Sequence, residues 1–214
     1  MVLYKHMENY ILDTNIFFNM EEGLNLGEKT EGVIVEMTHI AENIKRKSKG
    51  VFYMPPRIVE EVLSFFENKT QPFLTKLLSA ITIQSPQIDS ISFSAQVFYK
   101  LIEDIRGRSY RGLRIGEEEI ENGARLMLGK KDLDKKDFEI TVGKAIRGFR
   151  DRYRQATRYG FLDSVADLDL ICLAKELNGT IISTDEGVLQ WGRLFGVKEM
   201  SVSAFGEKMT EFRS

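Results

Sequence analysis

The 214-residue sequence has no apolar run near the roughly 18 residues that a membrane-spanning helix needs, so no membrane association is expected. It has one cysteine, Cys172 between Ile171 and Leu173, which excludes an internal disulfide and reads as a buried free thiol. A charged N-terminal region followed by an apolar one is also missing. No signal peptide is therefore expected, and with the lone cysteine this predicts a cytoplasmic protein. Repeats and low-complexity tracts are absent. Histidine is scarce: neither His6 nor His39 sits in a motif. Charge of one sign is lacking too, since the formal net charge is −2, which by itself argues against wholesale nucleic-acid binding.

That small net charge hides a split. Residues 100–160 hold 16 Lys+Arg and 11 Asp+Glu, whereas the remainder holds 14 and 21. A basic module attached to an acidic body points to a polyanionic partner; a solvated helical pair is the plain alternative.

Apolar patterning divides the chain in the same way. Tyr10-Ile11-Leu12 is a short buried-strand pattern that ends in Asp13-Thr14-Asn15. Residues 33–47 have a helical period, Val51–Met54 a strand pattern stopped by Pro55-Pro56, and Arg57–Asn68 a helical pattern again. A short helix near 71–79 and a strand at Ile81–Ile83 follow. Strand–helix alternation of this kind predicts an α/β fold with a parallel sheet sandwiched by helices. From 92 to 160 the alternation stops. Ser92–Arg106 reads as helix, Arg106–Gly112 as a basic, glycine-broken loop, and about 117–128 and 137–158 as two more helices. The alternation resumes with a helix from Asp163 to about Asn178, Gly179 as a left-handed cap, a strand at Thr180–Ser183, a helix at Glu186–Phe195 and a last strand at Val197–Val202. The expected domains are 1–91 with 161–214, and an inserted helical arm at 92–160.

In an open parallel sheet, ligands bind beyond the carboxyl ends of the strands, where the strand order switches. Asp13 follows the first strand and Asp185 the fourth. Asp163, Asp167 and Asp169 open the helix just before that fourth strand, with Asp163 and Asp167 on one face if the first is already helical. Each has an ordinary alternative as a turn residue or N-cap. Converging, they make an all-oxygen pocket of the kind that Mg²⁺ and Mn²⁺ prefer.

Leu12-Asp13-Thr14-Asn15 resembles the opening motif of PIN-domain nucleases. The stretch from Asp167 to Asp185 resembles their closing block: an aspartate, an apolar helix with small Ala174 at its middle, a glycine turn, a strand and Thr184-Asp185. PIN domains carry a further glutamate after the second strand, where Glu60 and Glu61 stand; Glu61 fits better, because Val62-Leu63 follow it. Asp163 four residues ahead of Asp167, the helical insertion and the overall length are similar to the minimal protein-only ribonuclease P proteins, whose archaeal members have also been labelled RNA ligase partner proteins. The resemblance implies a PIN fold with a protruding, spike-like arm and divalent-metal-dependent removal of the 5′ leader of precursor tRNA, leaving a 5′-phosphate. It also implies assembly into large ring-like homo-oligomers. It assigns the catalytic, metal-holding roles to Asp13, Asp163, Asp167 and Asp185, with Glu61 and Asp169 as additional acidic candidates. The scarcity of histidine fits, since paired imidazoles are then not needed.

Arg147, Arg150, Arg154 and Arg158 step by three, four and four, which keeps them on one helical face extended by Lys144. Guanidinium forks suit phosphate oxygens, so this face is the expected RNA-binding stripe. Phe149, Tyr153, Tyr159 and Trp191 read as packing residues. The arm's many apolar residues, Phe98 and Leu101 among them, exceed what two helices can bury and suggest self-association. Two alternatives remain at this stage: a PIN endoribonuclease acting on other structured RNA, and a non-catalytic RNA-binding partner protein.

Overall fold

The structure, a computed structural model, describes residues 7–18, 30–129, 133–158, 162 and 164–213, the side chain of Arg158 excepted. It divides into two compact units, Met1–Ser94 with Leu162–Ser214, and Ala95–Phe161. In chain order the first unit begins with β1 (Glu8–Leu12), α1 (Asn15–Phe18), α2 (Thr30–Arg46), β2 (Gly50–Met54), α3 (Pro56–Ser64), α4 (Pro72–Ala80) and β3 (Thr82–Ile83). The second unit holds α5 (Gln96–Met127) and α6 (Lys135–Arg158). The first then resumes with α7 (Val165–Glu176), β4 (Thr180–Ile182), α8 (Glu186–Phe195), β5 (Lys198–Met200) and α9 (Val202–Met209).

All five strands are parallel, in the order β3-β2-β1-β4-β5. Both faces of the central strands are covered, so β1 is a continuous apolar run rather than an alternating one: Tyr10, Ile11 and Leu12 are all buried. Helices α2, α7 and α8 contribute Ile34, Met37, Ile40, Leu170, Ile171, Leu173, Val188 and Trp191 to that core. Chain progression runs outward from β1 to β2 and β3 on one side and through β4 to β5 on the other. The switch in strand order therefore lies between β1 and β4, where Leu12 pairs with Ile182. The residues just beyond these two strands share one crevice, and they are Asp13 and Ser183.

The structure corrects the expected glycine cap after α7. Asn178, not Gly179, adopts the left-handed conformation, with φ of 48°. Gly179 is required for space instead. A Cβ there would lie 2.9 Å from the Asn9 carbonyl oxygen and clash with the Ile11 side chain, so its absence lets β4 enter beside β1. The C-terminus holds a further helix that the strand-ending pattern at Val202 did not suggest. Ser201 caps α9 by accepting the Ala204 N–H at 3.2 Å, and Val202, Phe205 and Met209 are buried.

The second unit corrects the expected loop at 106–112, which is the interior of one continuous 32-residue helix, α5. At 1.5 Å per residue it runs about 48 Å. Its glycines suggested a break because each costs about 1 kcal/mol in a helix. They are seats for α6: a Cβ on Gly112 would lie 2.6 Å from the Tyr153 ring, Gly116 faces Phe149, and Gly123 faces Ala145. Rising positions on α5 meet falling positions on α6, so the pair is antiparallel. Arg111 donates to the Ala156 carbonyl at 2.8 Å, and Arg152 bridges Glu118 and Glu119. Phe149 and Tyr153 are thus packing residues, and Trp191 is a core residue of the first unit, as expected. Tyr159 lies outside the described residues.

Candidate active site

Asp13 leaves β1 at the switch point with its carboxylate buried. Three donors hold it. The Ser183 hydroxyl donates to Oδ2, the Thr14 backbone N–H to Oδ1 at 2.6 Å, and the Asn15 side-chain amide to Oδ2 at 3.3 Å. Ser183 Oγ also accepts the Asp185 N–H at 2.9 Å, so one hydroxyl ties the two aspartates that end β1 and β4. Asp185 is the N-cap of α8, where its Oδ1 accepts from the N–H of Gly187 at 2.7 Å and of Val188 at 3.1 Å. Asp167 stands in the first turn of α7, whose N-cap is Ser164. Capping there falls to Ser164; Asp163 lies outside the described residues.

The Asp13 carboxyl is pushed up to about 6 from an ordinary 3.8. Desolvation by burial is the main cause, and the negative charges of Asp167 and Asp185 add to it against the opposing Ser183 and Thr14 hydrogen bonds. Asp167 and Asp185 thus both act on Asp13 electrostatically. Among the described residues no cationic side chain forms a salt bridge with Asp13. A buried carboxylate near two more, with no ion-pair partner among the described residues, has the charge and the all-oxygen donors that would suit Mg²⁺ or Mn²⁺. No group of three or more His, Cys, Asp or Glu side chains already stands at ion-holding distances among the described residues.

Glu61, rather than Glu60, meets the opening motif: its Oε2 accepts the Thr14 hydroxyl at 3.1 Å. Asp169 turns to another task. It is buried and takes the guanidinium of Arg57, which stitches α7 to α3. Cys172 is a buried free thiol, held up at about 11 by burial and the nearby Asp169 charge. Sequence reasoning assigned no role to Ser183 or Asn15. The signal was present in the hydroxyl next to Asp185 and the amide two residues past Asp13, side chains that a buried carboxylate needs for solvation.

A family model for PINc domain ribonucleases matches residues 9–213 of this chain. Curated relatives named RNA-free ribonuclease P share its sequence along nearly its whole length. That of Pyrococcus horikoshii is 36% identical over 205 residues, 96% of this chain and 93% of the relative. That of Thermococcus kodakarensis is 35% identical, over 92% of each chain, and that of Methanocaldococcus jannaschii 30% identical, over 96% and 92%. The chain belongs to the RNA-free ribonuclease P family of PIN-domain ribonucleases. It is an endoribonuclease of the ribonuclease P type, and the acidic crevice at the sheet switch is its candidate active site.

The buried Asp13 charge sets a pH test. The folded state holds the Asp13 proton more tightly than the unfolded chain does, so unfolding releases a proton between about pH 4 and 6, and metal-free stability falls as pH rises through that window. A shift of this size corresponds to about 3 kcal/mol. Asp13→Asn removes this dependence. In urea unfolding with EDTA, the variant is expected to gain on the wild type as pH rises from 4 to 7. A stability difference that stays constant across that range would mean that Asp13 carries no uncompensated charge.

Proposed function

We propose that this ribonuclease removes the 5′ leader of precursor tRNA by divalent-metal-dependent hydrolysis, leaving a 5′-phosphate on the tRNA and a 3′-hydroxyl on the leader. The observation that carries this reading is the buried, unneutralised Asp13 facing Asp167 and Asp185 in a chain of the ribonuclease P type. Asp13, Asp163, Asp167 and Asp185 would hold Mg²⁺ or Mn²⁺. When bound, the ion supplies Lewis acidity toward a phosphoryl oxygen and acidifies water for in-line attack at phosphorus. The chain's own part is positioning: Ser183 fixes Asp13 and Asp185 relative to each other, the α8 N–H groups fix the Asp185 carboxylate, and Thr14 orients Glu61.

Asp185→Asn separates chemistry from folding, because asparagine caps a helix about as well as aspartate does. Cleavage of a 5′-labelled precursor tRNA in Mg²⁺ is expected to fall at least about a hundredfold, the scale on which losing one stabilising group in a reaction centre acts. Affinity for the RNA should stay within a few-fold. EDTA should stop the wild type, and Mg²⁺ or Mn²⁺ restore it. Near-wild-type cleavage by the variant would defeat the metal-site assignment, and many products in place of one leader-length fragment would favour other structured RNA as the substrate.

Substrate binding is assigned to the basic face of α6. Arg147, Arg150 and Arg154 are all exposed and form no salt bridge among the described residues, whereas Arg152, on another face, is committed to Glu118 and Glu119. The side chain of Arg158 lies outside the described residues. Neutralising Arg150 and Arg154 is expected to make log K less steep in log salt by roughly 0.7–0.9 per lost phosphate contact. An unchanged slope would point this face at solvent.

Self-association through the helical pair belongs to the same reading. Phe98, Ile102, Ile105, Leu113, Ile120 and Leu128 are each at least half exposed on the second unit, apolar surface of the kind that interfaces cover. Identical chains usually close such contacts symmetrically, in keeping with a large ring-like homo-oligomer. Light scattering is expected to give a discrete multiple of 24.6 kDa. A monomeric mass with full activity would refute it.

A further inference from the structure

The first unit carries a line of phenylalanines that neither the core nor the acidic crevice explains. Phe18 closes α1. Its ring centroid lies 4.3 Å from that of Phe65 and 6.2 Å from that of Phe66, and Phe66 meets Phe73 edge-on at 5.7 Å. The four rings come from α1, the end of α3 and the start of α4, yet they form one continuous run. Phe65 is 59% exposed, and the other three are half-buried. Beyond Phe73 the run opens into a hollow of about 340 Å³ between α2 and α4, edged by His39, Glu42 and Lys76.

Two links tie this run to the chemistry. Phe18 ends the helical turn that begins just after Asp13-Thr14. Phe65 follows Glu61 by one turn of α3, about 6 Å of helix rise, and the Glu61 carboxylate takes the Thr14 hydroxyl. Phe18 and Phe65 therefore each stand about one helical turn from the hydrogen-bonded pair Thr14 and Glu61. Charge around them does not favour phosphate: Glu42, Glu60, Glu61 and Glu67 stand against Lys69 and Lys76, and Arg57 is committed to Asp169. A polyanion is held at such a place by contacts that do not depend on charge. Nucleobases stack on aromatic rings whatever their sequence, provided that their faces are free, which those of a duplex are not.

We propose that Phe18, Phe65, Phe66 and Phe73 form a stacking track for the unpaired nucleotides of the RNA substrate that adjoin the scissile phosphate. On the reading of function given above, on which this identification rests, those nucleotides are the 5′ leader. Phe65, the exposed ring of the four, offers an uncharged stacking face one helical turn from Glu61.

The test compares precursor tRNAs carrying a five-nucleotide leader with the same RNA whose leader lacks its bases but keeps its phosphates. The full chain in Mg²⁺ is expected to process the intact leader with a KM lower by roughly 5- to 100-fold, the range that base–aromatic stacking spans. Phe65→Ala and Phe65→Leu should bring that ratio close to one, while Phe65→Tyr, which keeps a stacking face, should retain it. A wild type indifferent to the missing bases overturns the track and leaves precursor-tRNA cleavage standing. So does a Phe65→Ala variant that keeps the ratio; if it also loses mass in light scattering, the face meets a second copy of the chain. Should the wild type cleave no precursor tRNA, the function reading fails on its own. The track is then decided by quenching of 2-aminopurine in a single-stranded RNA: quenching by the wild type that is lost in Phe65→Ala supports it, and no quenching overturns it.

Discussion

A carboxylate buried at the switch between β1 and β4 organises this molecule. Asp13 is placed there by the sheet, since β1 must lie between β2 and β4 for the strand order to reverse beside it. Such a charge is expensive to desolvate, and the fold answers with a hydroxyl, a backbone N–H and an amide rather than with a lysine or arginine. Hydrogen bonds of this kind orient the carboxylate without neutralising it. The remaining charge is what the proposed cation would neutralise.

The surrounding packing follows from that placement. Gly179 lets β4 approach β1 closely enough for Ser183 to reach Asp13. The α8 N-cap then fixes Asp185, and the Asp169–Arg57 pair anchors α7 to α3, so that the helices bearing Asp167 and Glu61 are joined by an ion pair. The ion pair is itself largely buried at Asp169, and losing Arg57 would strand a second buried charge.

Much of this was legible in the sequence because it depends on strong local signals. Apolar runs ending in aspartate marked β1 and β4, and the helical periods of α2, α3 and α7 marked the layers that cover them. The parts that were not legible depend on distant partners. Gly112 looks like a break until Tyr153 is seen filling the space it leaves. Gly179 looks like a cap until the neighbouring strand is seen against it. The α9 helix escaped because Val202 was read as strand, although Ser201, Val202, Phe205 and Met209 carry a cap and a helical period. Asp169 and Asp167 differ by two positions and look alike in sequence; only the position of Arg57 separates the structural carboxylate from the one that faces Asp13.

The charge split takes on a physical meaning once the crevice is known. On the proposed reading, a site that gathers a divalent cation has to be acidic, and the same acidity repels the phosphates of an RNA substrate. One uniform surface cannot satisfy both demands. Separation along the chain can: a net excess of five positive charges sits in residues 100–160, and an excess of seven negative charges in the remainder. In the second unit, Arg152 neutralises Glu118 and Glu119 across the helix pair, which leaves the Arg147, Arg150 and Arg154 face unopposed by those glutamates. On the same reading, the phenylalanine run near Thr14 and Glu61 adds contact that does not depend on charge. Under that reading, cation attraction, phosphate attraction and charge-independent contact fall to different residues, and each can be strong without weakening the others.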